Sequence, residues 1–464
     1  MFSVTSLGFL PFMALFVCLW YRVPQPSRWK LVLAANAVFC LSIDIGAFFA
    51  VALATAVVWQ AAQHAQPEQP SRRGWLALGL AAALLPLLVL KYSGMLVPGL
   101  RDLYKPFGLA YYSLQLAGYL LDVWHGRTAP APSYARLWCY AGFFLSLTQG
   151  PFNRYNTLMP QLEAAPKTFE TQRLVSGLQR SAWGYFKKFA IADRAAIVVS
   201  AAFADPASFD RSQLIFATVM YSFQLYADFS GYTDMAIGTG MLFGLRLSPN
   251  FAHPFAAQTT AEFWRRWHIS LSSWVRDYLF LPLSSLTRRW GQWGVAASLI
   301  VTFIALGVWH GAGWTFAVYG LIQGLVIVWE LKTEKIRNVI RKRIGKRLFS
   351  TLSVIRTYII FAVSLVFFKA QSVSDAFYFL RNISFQTHAS WKEINIGMSD
   401  HICIVAGSTL LLMLLYDFFM SKGDLHLRFE KQPAVVRWTV YYLIVFAVFA
   451  YGMFGTEDFI YLQF

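Results

Sequence analysis

The feature that most constrains this chain is a series of apolar runs close to the length at which an α-helix crosses a bilayer core, roughly 20 residues at 1.5 Å each. Within lipid every backbone N–H and C=O must be satisfied by the chain, and a helix does this inside a single run. A barrel would show strands of alternating apolar and polar residues, whereas these runs are continuous. The expected fold class is an all-α polytopic membrane protein. Candidate spans are Ser6–Trp20, Lys30–Asp44, Ala47–Gln63, Gly74–Tyr92, Leu137–Gly150, Arg211–Leu225, Asp234–Leu245, Val295–Trp309, Trp314–Leu331, Arg356–Phe368, Ile402–Met420 and Arg437–Met453. Some are too short for a full crossing and read as tilted, re-entrant or merged, for roughly ten to twelve helices.

Charge supports this class. Only 14% of the 464 residues are charged, against about 25% in a soluble domain. The net charge of +17 arises from Lys and Arg at the ends of apolar runs, as the positive-inside rule requires. No Gly-rich phosphate loop or CxxC pair points to a nucleic-acid partner. Cys18, Cys40, Cys139 and Cys403 are isolated among apolar residues, which is packing rather than metal-ligand spacing. Met1-Phe2-Ser3-Val4 is not a basic leader and Leu7–Trp20 lacks a small-residue cleavage site, so the first run reads as a retained helix. The whole span 1–464 is expected to be one integral membrane domain. The polar stretch Asp375–Asp400, with Asn382, Gln386, Lys392 and Asn395, is an expected extramembrane loop.

Two connectors read as cytoplasmic: Gln66–Arg73, and Lys332–Arg347 with the sequence KTEKIRNVIRKRIGKR. In the second, Ile336, Val339, Ile340 and Ile344 recur among basic residues. That pattern suits a helix lying on an anionic membrane surface, or a solvated connector that only sets topology.

Polar groups among apolar runs are costly and need a reason. They concentrate between residues 224 and 324, the expected catalytic-motif region. Asp228 and Asp234 flank Ser230-Gly231, where a helix is expected to break or bend. Ser230 precedes Asp234 by four residues and can share its helical face. These residues would line a substrate tunnel, or else satisfy backbone freed at the break. Further on, Glu262–Tyr278 reads EFWRRWHISLSSWVRDY. As one helix it places Trp264, Trp267, His268 and Leu271 on a shared face. Arg265 and Arg266 suit phosphate groups and Trp264 suits stacking; the alternative is interface anchoring at headgroup level. Third, His310 follows Trp309 and sits among Gly307, Gly311 and Gly313. The glycines allow close approach of backbone or substrate. An imidazole there can be a general base or a helix–helix hydrogen-bond partner.

DFSGYTDMAIG (Asp228–Gly238), EFWRRWHISLSSWVRDYLFLPL (Glu262–Leu283) and LGVWHGAGWTF (Leu306–Phe316) resemble the signature regions of the bacterial membrane-bound O-acyltransferases. Similar stretches occur at Pro106–Gly126, Gln149–Tyr155 and Gly184–Asp193, and the closing Phe459–Phe464 resembles the family's ending. The likeness is closest to the alginate O-acetyltransferase branch, with the D-alanyl transferase of teichoic acids more distant.

The resemblance implies a ring of tilted helices around a thin centre with a funnel on each side. It implies His310 as the catalytic histidine and His268 as the second histidine of the site. From the chemistry of the residues themselves, Arg265, Arg266 and Trp264 would hold the donor, while Asp228, Ser230, Asp234 and Trp309 would line the tunnel. No metal and no permanently bound cofactor is implied, and acetyl-CoA is the implied acyl donor. The partners are membrane lipid and an extracytoplasmic polysaccharide acceptor reached through a separate periplasmic or surface acetyltransferase. The place is the bacterial inner membrane. D-alanyl transfer from a carrier protein, or transport of lipid-linked sugars, are the alternatives.

Overall fold

Apolar runs of this length become helices because helical backbone bonds close locally and leave only apolar side chains facing outward. The computed structural model describes residues 4–6, 8–100, 102–166, 168–385, 400–421, 429, 431–454 and 459–460. Residues 1–3, Leu7 of the expected first helix, 386–399 of the expected loop at 375–400, and 461–464 of the closing motif lie outside the described residues; the start of that expected loop, 375–385, is helical instead. Among those described there is no β-strand, only one isolated bridge between Phe251 and Trp267. The protein is an all-α polytopic membrane protein. Its chain packs as two compact units, Met1–Ala182 with Tyr232–Pro249, and Trp183–Gly231 with Asn250–Phe464.

The first unit contains α1 (Phe9–Arg22), α2 (Arg28–Ile43), α3 (Ile45–His64), α4 (Arg72–Leu96), α5 (Leu109–Trp124), α6 (Tyr134–Ala141) and α7 (Tyr155–Ala164), with most of α8 (Thr171–Phe186). Of these, α3 and α4 are long and apolar enough to cross a membrane. The expected span Leu137–Gly150 is corrected here. Only α6 is helical, and the chain from 142 to 154 is irregular and buried. Side chains replace its missing ladder: Asn36 donates to the Cys139 carbonyl at 3.1 Å and accepts from Phe144 N at 3.0 Å. Tyr140 donates to the Asn153 carbonyl at 2.9 Å. Irregular backbone survives at membrane depth where protein groups satisfy it.

In the second unit α8 passes through a π-helical turn, Lys187–Ala192, into α9 (Asp193–Ala204). Then comes α10 (Arg211–Leu242), whose last turns return to the first unit. The expected spans Arg211–Leu225 and Asp234–Leu245 are thus one helix of 32 residues. The expected break at Ser230-Gly231 does not occur. A mid-helix glycine costs about 1 kcal/mol relative to alanine, but here another backbone occupies its open side. A Cβ on Gly231 would lie 2.9 Å from the Gly184 carbonyl oxygen and 3.3 Å from Lys188 N. Close crossing, not a bend, explains the glycine.

After α10 come α11 (Thr260–Arg266), α12 (Ile269–Val275), a π turn at Arg276–Phe280, and α13 (Leu281–Leu286). The hairpin of α14 (Gln292–His310) and α15 (Trp314–Lys332) follows, then α16 (Glu334–Ile344), α17 (Lys346–Lys369), α18 (Val373–Phe385), α19 (Asp400–Ser421) and α20 (Ala434–Tyr451). Here α14, α15, α17 and α20 are long and apolar enough to span, giving six such helices among the described residues of the chain. The hairpin packs without Cβ atoms between its helices: one on Gly307 would collide with the Phe316 carbonyl, and one on Gly320 with that of Phe303.

Candidate active site

His310 is the last residue of α14 and is 3% exposed. Its Nδ1 lies 2.8 Å from the Leu306 carbonyl one turn back. A carbonyl only accepts, so Nδ1 is the donor there, and in the neutral form of the ring Nε2 holds the lone pair. One backbone bond thus sets both the ring's orientation and the tautomer a general base requires. The helix stops here because Gly311 turns extended, at φ −157°. A Cβ on Gly311 would collide with the Phe316 ring, so this glycine admits protein, as Gly307 does. Of the two uses expected for these glycines, close approach of backbone and ring is the one seen at both. Phe368 closes one side of His310, edge-on at 5.3 Å between ring centroids.

His268 reaches the same region by a different local route. The expected single helix across Trp264–Leu271 is interrupted: α11 ends at Arg266, Trp267 is extended, and His268 takes left-handed angles of φ 45° and ψ 50°. Among the described non-glycine residues only His253 shares a positive φ. Such a conformation costs roughly 1–2 kcal/mol and persists where surroundings over-determine it. The surroundings are the strand-like stretch before α11. Ala252 N donates to the Arg266 carbonyl at 3.0 Å and Ile269 N to the Asn250 carbonyl at 3.0 Å. The buried Asn250 carboxamide oxygen accepts from Ser270 Oγ at 2.6 Å. The shared face is therefore dissolved by backbone geometry, and each residue finds its own neighbours.

His268 is fully buried. Phe229 meets its ring edge-on at 4.5 Å, Trp309 lies 6.0 Å away and His310 6.3 Å. Burial first, and the neighbouring His310 second, push the His268 imidazole well below its ordinary range, so the ring is neutral near pH 7. A centroid separation of 6.3 Å is too long for a direct bond between ring nitrogens, for which about 2.6–3.2 Å is needed.

The remaining sequence-predicted residues are distributed. Trp309, 8% exposed, flanks both imidazoles, its ring 5.1 Å from that of His310. Trp264 is buried, and its Nε1 donates to Gln323 Oε1 at 3.0 Å, while Gln323 Nε2 donates to Ser364 Oγ at 2.8 Å. It ties α11 to α15 and α17. Arg266 pairs with Glu262 at 2.6 Å, and Arg265 is exposed. Asp234 belongs to the first unit, where it pairs with Arg180 at 3.0 Å. Ser230 and Asp234 therefore serve different partners.

Asp228 and Ser230 lie in a cluster that residue-by-residue reading missed. Lys188 Nζ sits 2.9 Å from Asp228 Oδ1 and 2.8 Å from Asp193 Oδ1, with all three residues at most 3% exposed. Lys187 donates to Ser230 Oγ at 2.8 Å. Asp228 Oδ2 also accepts from Ile460 N at 3.0 Å, and the Phe459 ring lies 4.5 Å from Lys188 Nζ. The signal was in the sequence: two adjacent lysines between Phe186 and Phe189, with a carboxylate five positions on.

A family model described as the membrane-bound O-acyltransferase family matches residues 125–370. Among curated relatives, a protein named probable alginate O-acetylase AlgI from Azotobacter vinelandii is 31% identical over 79% of this chain and 74% of its own length. A peptidoglycan O-acetyltransferase from Helicobacter pylori is 28% identical over 86% of this chain and 84% of its own. A teichoic acid D-alanyltransferase from Bacillus subtilis is 27% identical over 60% and 74%.

Proposed function

Because the chain belongs to the membrane-bound O-acyltransferase family, we propose that it transfers an acetyl group from a cytoplasmic acetyl-CoA towards an extracytoplasmic polysaccharide hydroxyl, from the bacterial inner membrane. Relatives named for alginate and peptidoglycan O-acetylation match this chain over more of its length than the D-alanyltransferase does, which favours acetyl and a polysaccharide.

The observation that carries the reading is the His310 ring, held by Leu306 with Nε2 directed away from its own helix backbone and a neutral imidazole 6.3 Å off. In the reaction, His310 Nε2 takes the proton of the attacking hydroxyl. The hydroxyl oxygen forms the new bond to the thioester carbonyl carbon, the C–S bond breaks, and the leaving thiolate recovers the proton from the imidazolium. His268 orients the hydroxyl or shares its proton. Arg265 and Arg266 steady the donor's phosphates, Arg266 by exchanging Glu262 for the ligand. A separate periplasmic or surface acetyltransferase completes delivery to the polymer.

The test uses purified chain in lipid with labelled acetyl-CoA. Release of free CoA with label passing to a hydroxyl acceptor is expected. Turnover of a carrier-protein thioester but not of acetyl-CoA would replace this donor with the D-alanyl type. Movement of lipid-linked sugar without acyl transfer would overturn the enzyme mechanism.

A further inference from the structure

The start of α14, the end of α15 and the start of α17 come together at one end of the second unit, and the groups there have a common physical character. Trp290, Trp293 and Trp329 are 63%, 74% and 48% exposed. Lys332 Nζ lies over the Trp293 ring at 5.0 Å and donates to Gln292 Oε1 at 2.9 Å. Amphipathic rings with lysine beside them mark the level where hydrocarbon gives way to headgroups.

At this level α16 leaves the bundle. It has 11 residues, none of them buried. Ile336, Val339, Ile340 and Ile344 recur at helical spacing and are 62%, 51%, 42% and 38% exposed. Within 332–347 there are eight basic residues against one acidic, Glu334. Lys335, Arg341, Lys342, Arg343, Lys346 and Arg347 are all exposed. In water alone this helix would expose isoleucines for no gain. Laid at a lipid boundary, it buries them among acyl chains and sets its cations beside phosphates. Gly345, at φ 85° with nothing near its missing side chain, lets α16 depart from the axis of α17.

The same helix is wired to the catalytic segment. Arg337, the half-buried member of α16, donates to the Glu330 carbonyl at 2.5 Å. The Glu330 carboxylate is 3% exposed, pairs with Arg356 at 2.7 Å and accepts from Thr260 N at 2.8 Å. Thr260 is the first residue of α11, and α11 leads directly into His268. Arg356 also donates to the Gln258 carbonyl at 2.9 Å.

We propose that α16 is a binding element for anionic lipid headgroups in the leaflet at this end, and that its seating on them steadies α11 through Arg337, Glu330 and Arg356. The full chain in nanodiscs of phosphatidylcholine alone, or with added phosphatidylglycerol, tests this by hydrogen exchange, a readout that does not depend on acyl transfer. Failure here therefore leaves the acetylation reading untouched, and failure there leaves this one. Phosphatidylglycerol should raise amide protection over 334–344 and, more weakly, over 258–266. Each basic residue near an anionic surface contributes about fivefold, so replacing Arg341, Lys342 and Arg343 together by Gln should cut the increment by a factor on the order of 100. Arg337→Gln should retain the increment in α16 and lose it at 258–266, the pattern that separates transmission from folding. Equal protection in both lipids, an increment that survives the triple replacement, or protection that follows the number of copies per disc would each overturn the proposal. The last would make the face a contact between copies.

Discussion

Two polar constellations are buried in the second unit, and they are built on opposite principles. Around Lys188, charge is fully committed: one ammonium lies between two carboxylates, and a backbone N–H takes a further carboxylate oxygen. Around His310, the groups are two imidazoles walled by Phe229, Trp309 and Phe368. A committed ion cluster in a low-dielectric interior holds segments in register, because removing one partner strands the others. A neutral ring with one nitrogen tied to backbone and the other carrying a lone pair can accept a proton from something that arrives. Under the acyl-transfer mechanism proposed above, this difference gives structure to the first and chemistry to the second, although both are equally hidden and equally polar in sequence.

The sharpest way to break this comparison is His310→Asn. Loss of a positioned base should cut acetyl turnover by about 10²–10⁴-fold, with the thermal midpoint of the detergent-solubilised protein little moved. Turnover near wild type at matched membrane abundance would end the assignment. Lys188→Met should do the reverse. Stranding two carboxylates should cost about 3–5 kcal/mol of stability, read as a lowered unfolding midpoint and lower abundance. If Lys188→Met is as stable as wild type but inactive, the cluster belongs to the chemistry after all.

His268→Asn asks a finer question, since Asn tolerates left-handed angles but cannot relay a proton. A tenfold or greater fall in rate, about the lower end of proton-transfer effects, is expected with the fold retained; an unchanged rate would leave His268 as a shaping residue. The smallest effect is on acid stability. The folded-state pKa of His268 is depressed by burial, so below the ordinary value near 6.5 the unfolded chain binds a proton that the folded chain refuses. Its contribution is therefore complete above that pH and is lost as pH falls, by up to about 1.4 kcal/mol per unit. Subtracting the pH profile of His268→Asn from that of wild type should isolate this slope, and identical profiles would refute it.

Much of the fold was legible because hydrophobic length is a local property. Lys30–Asp44, Val295–Trp309 and Trp314–Leu331 match α2, α14 and α15 closely. The errors fall where a distant backbone overrides local preference. Gly231 read as a break because glycine weakens an isolated helix, yet α8 crosses there. Leu137–Gly150 read as a span because its side chains are apolar, yet Asn36 and Tyr140 hold much of it irregular. In the site, the residue types at 268 and 310 stood out in sequence, but their partners did not. Gln323 for Trp264 and Asp193 with Lys188 for Asp228 come from helices far along the chain.

The sequence by itself determined an all-helical membrane protein, the identity of its two notable histidines and its family likeness, since composition, run length and motif order are written in consecutive residues. Tertiary structure alone decided which nitrogen of His310 is tied to the Leu306 carbonyl, that His268 adopts a left-handed bend beside it, and that Asp228 answers a lysine. The reason is that tautomer, backbone strain and ion pairing are properties of neighbours in space, and helix packing sets those neighbours independently of their separation along the chain.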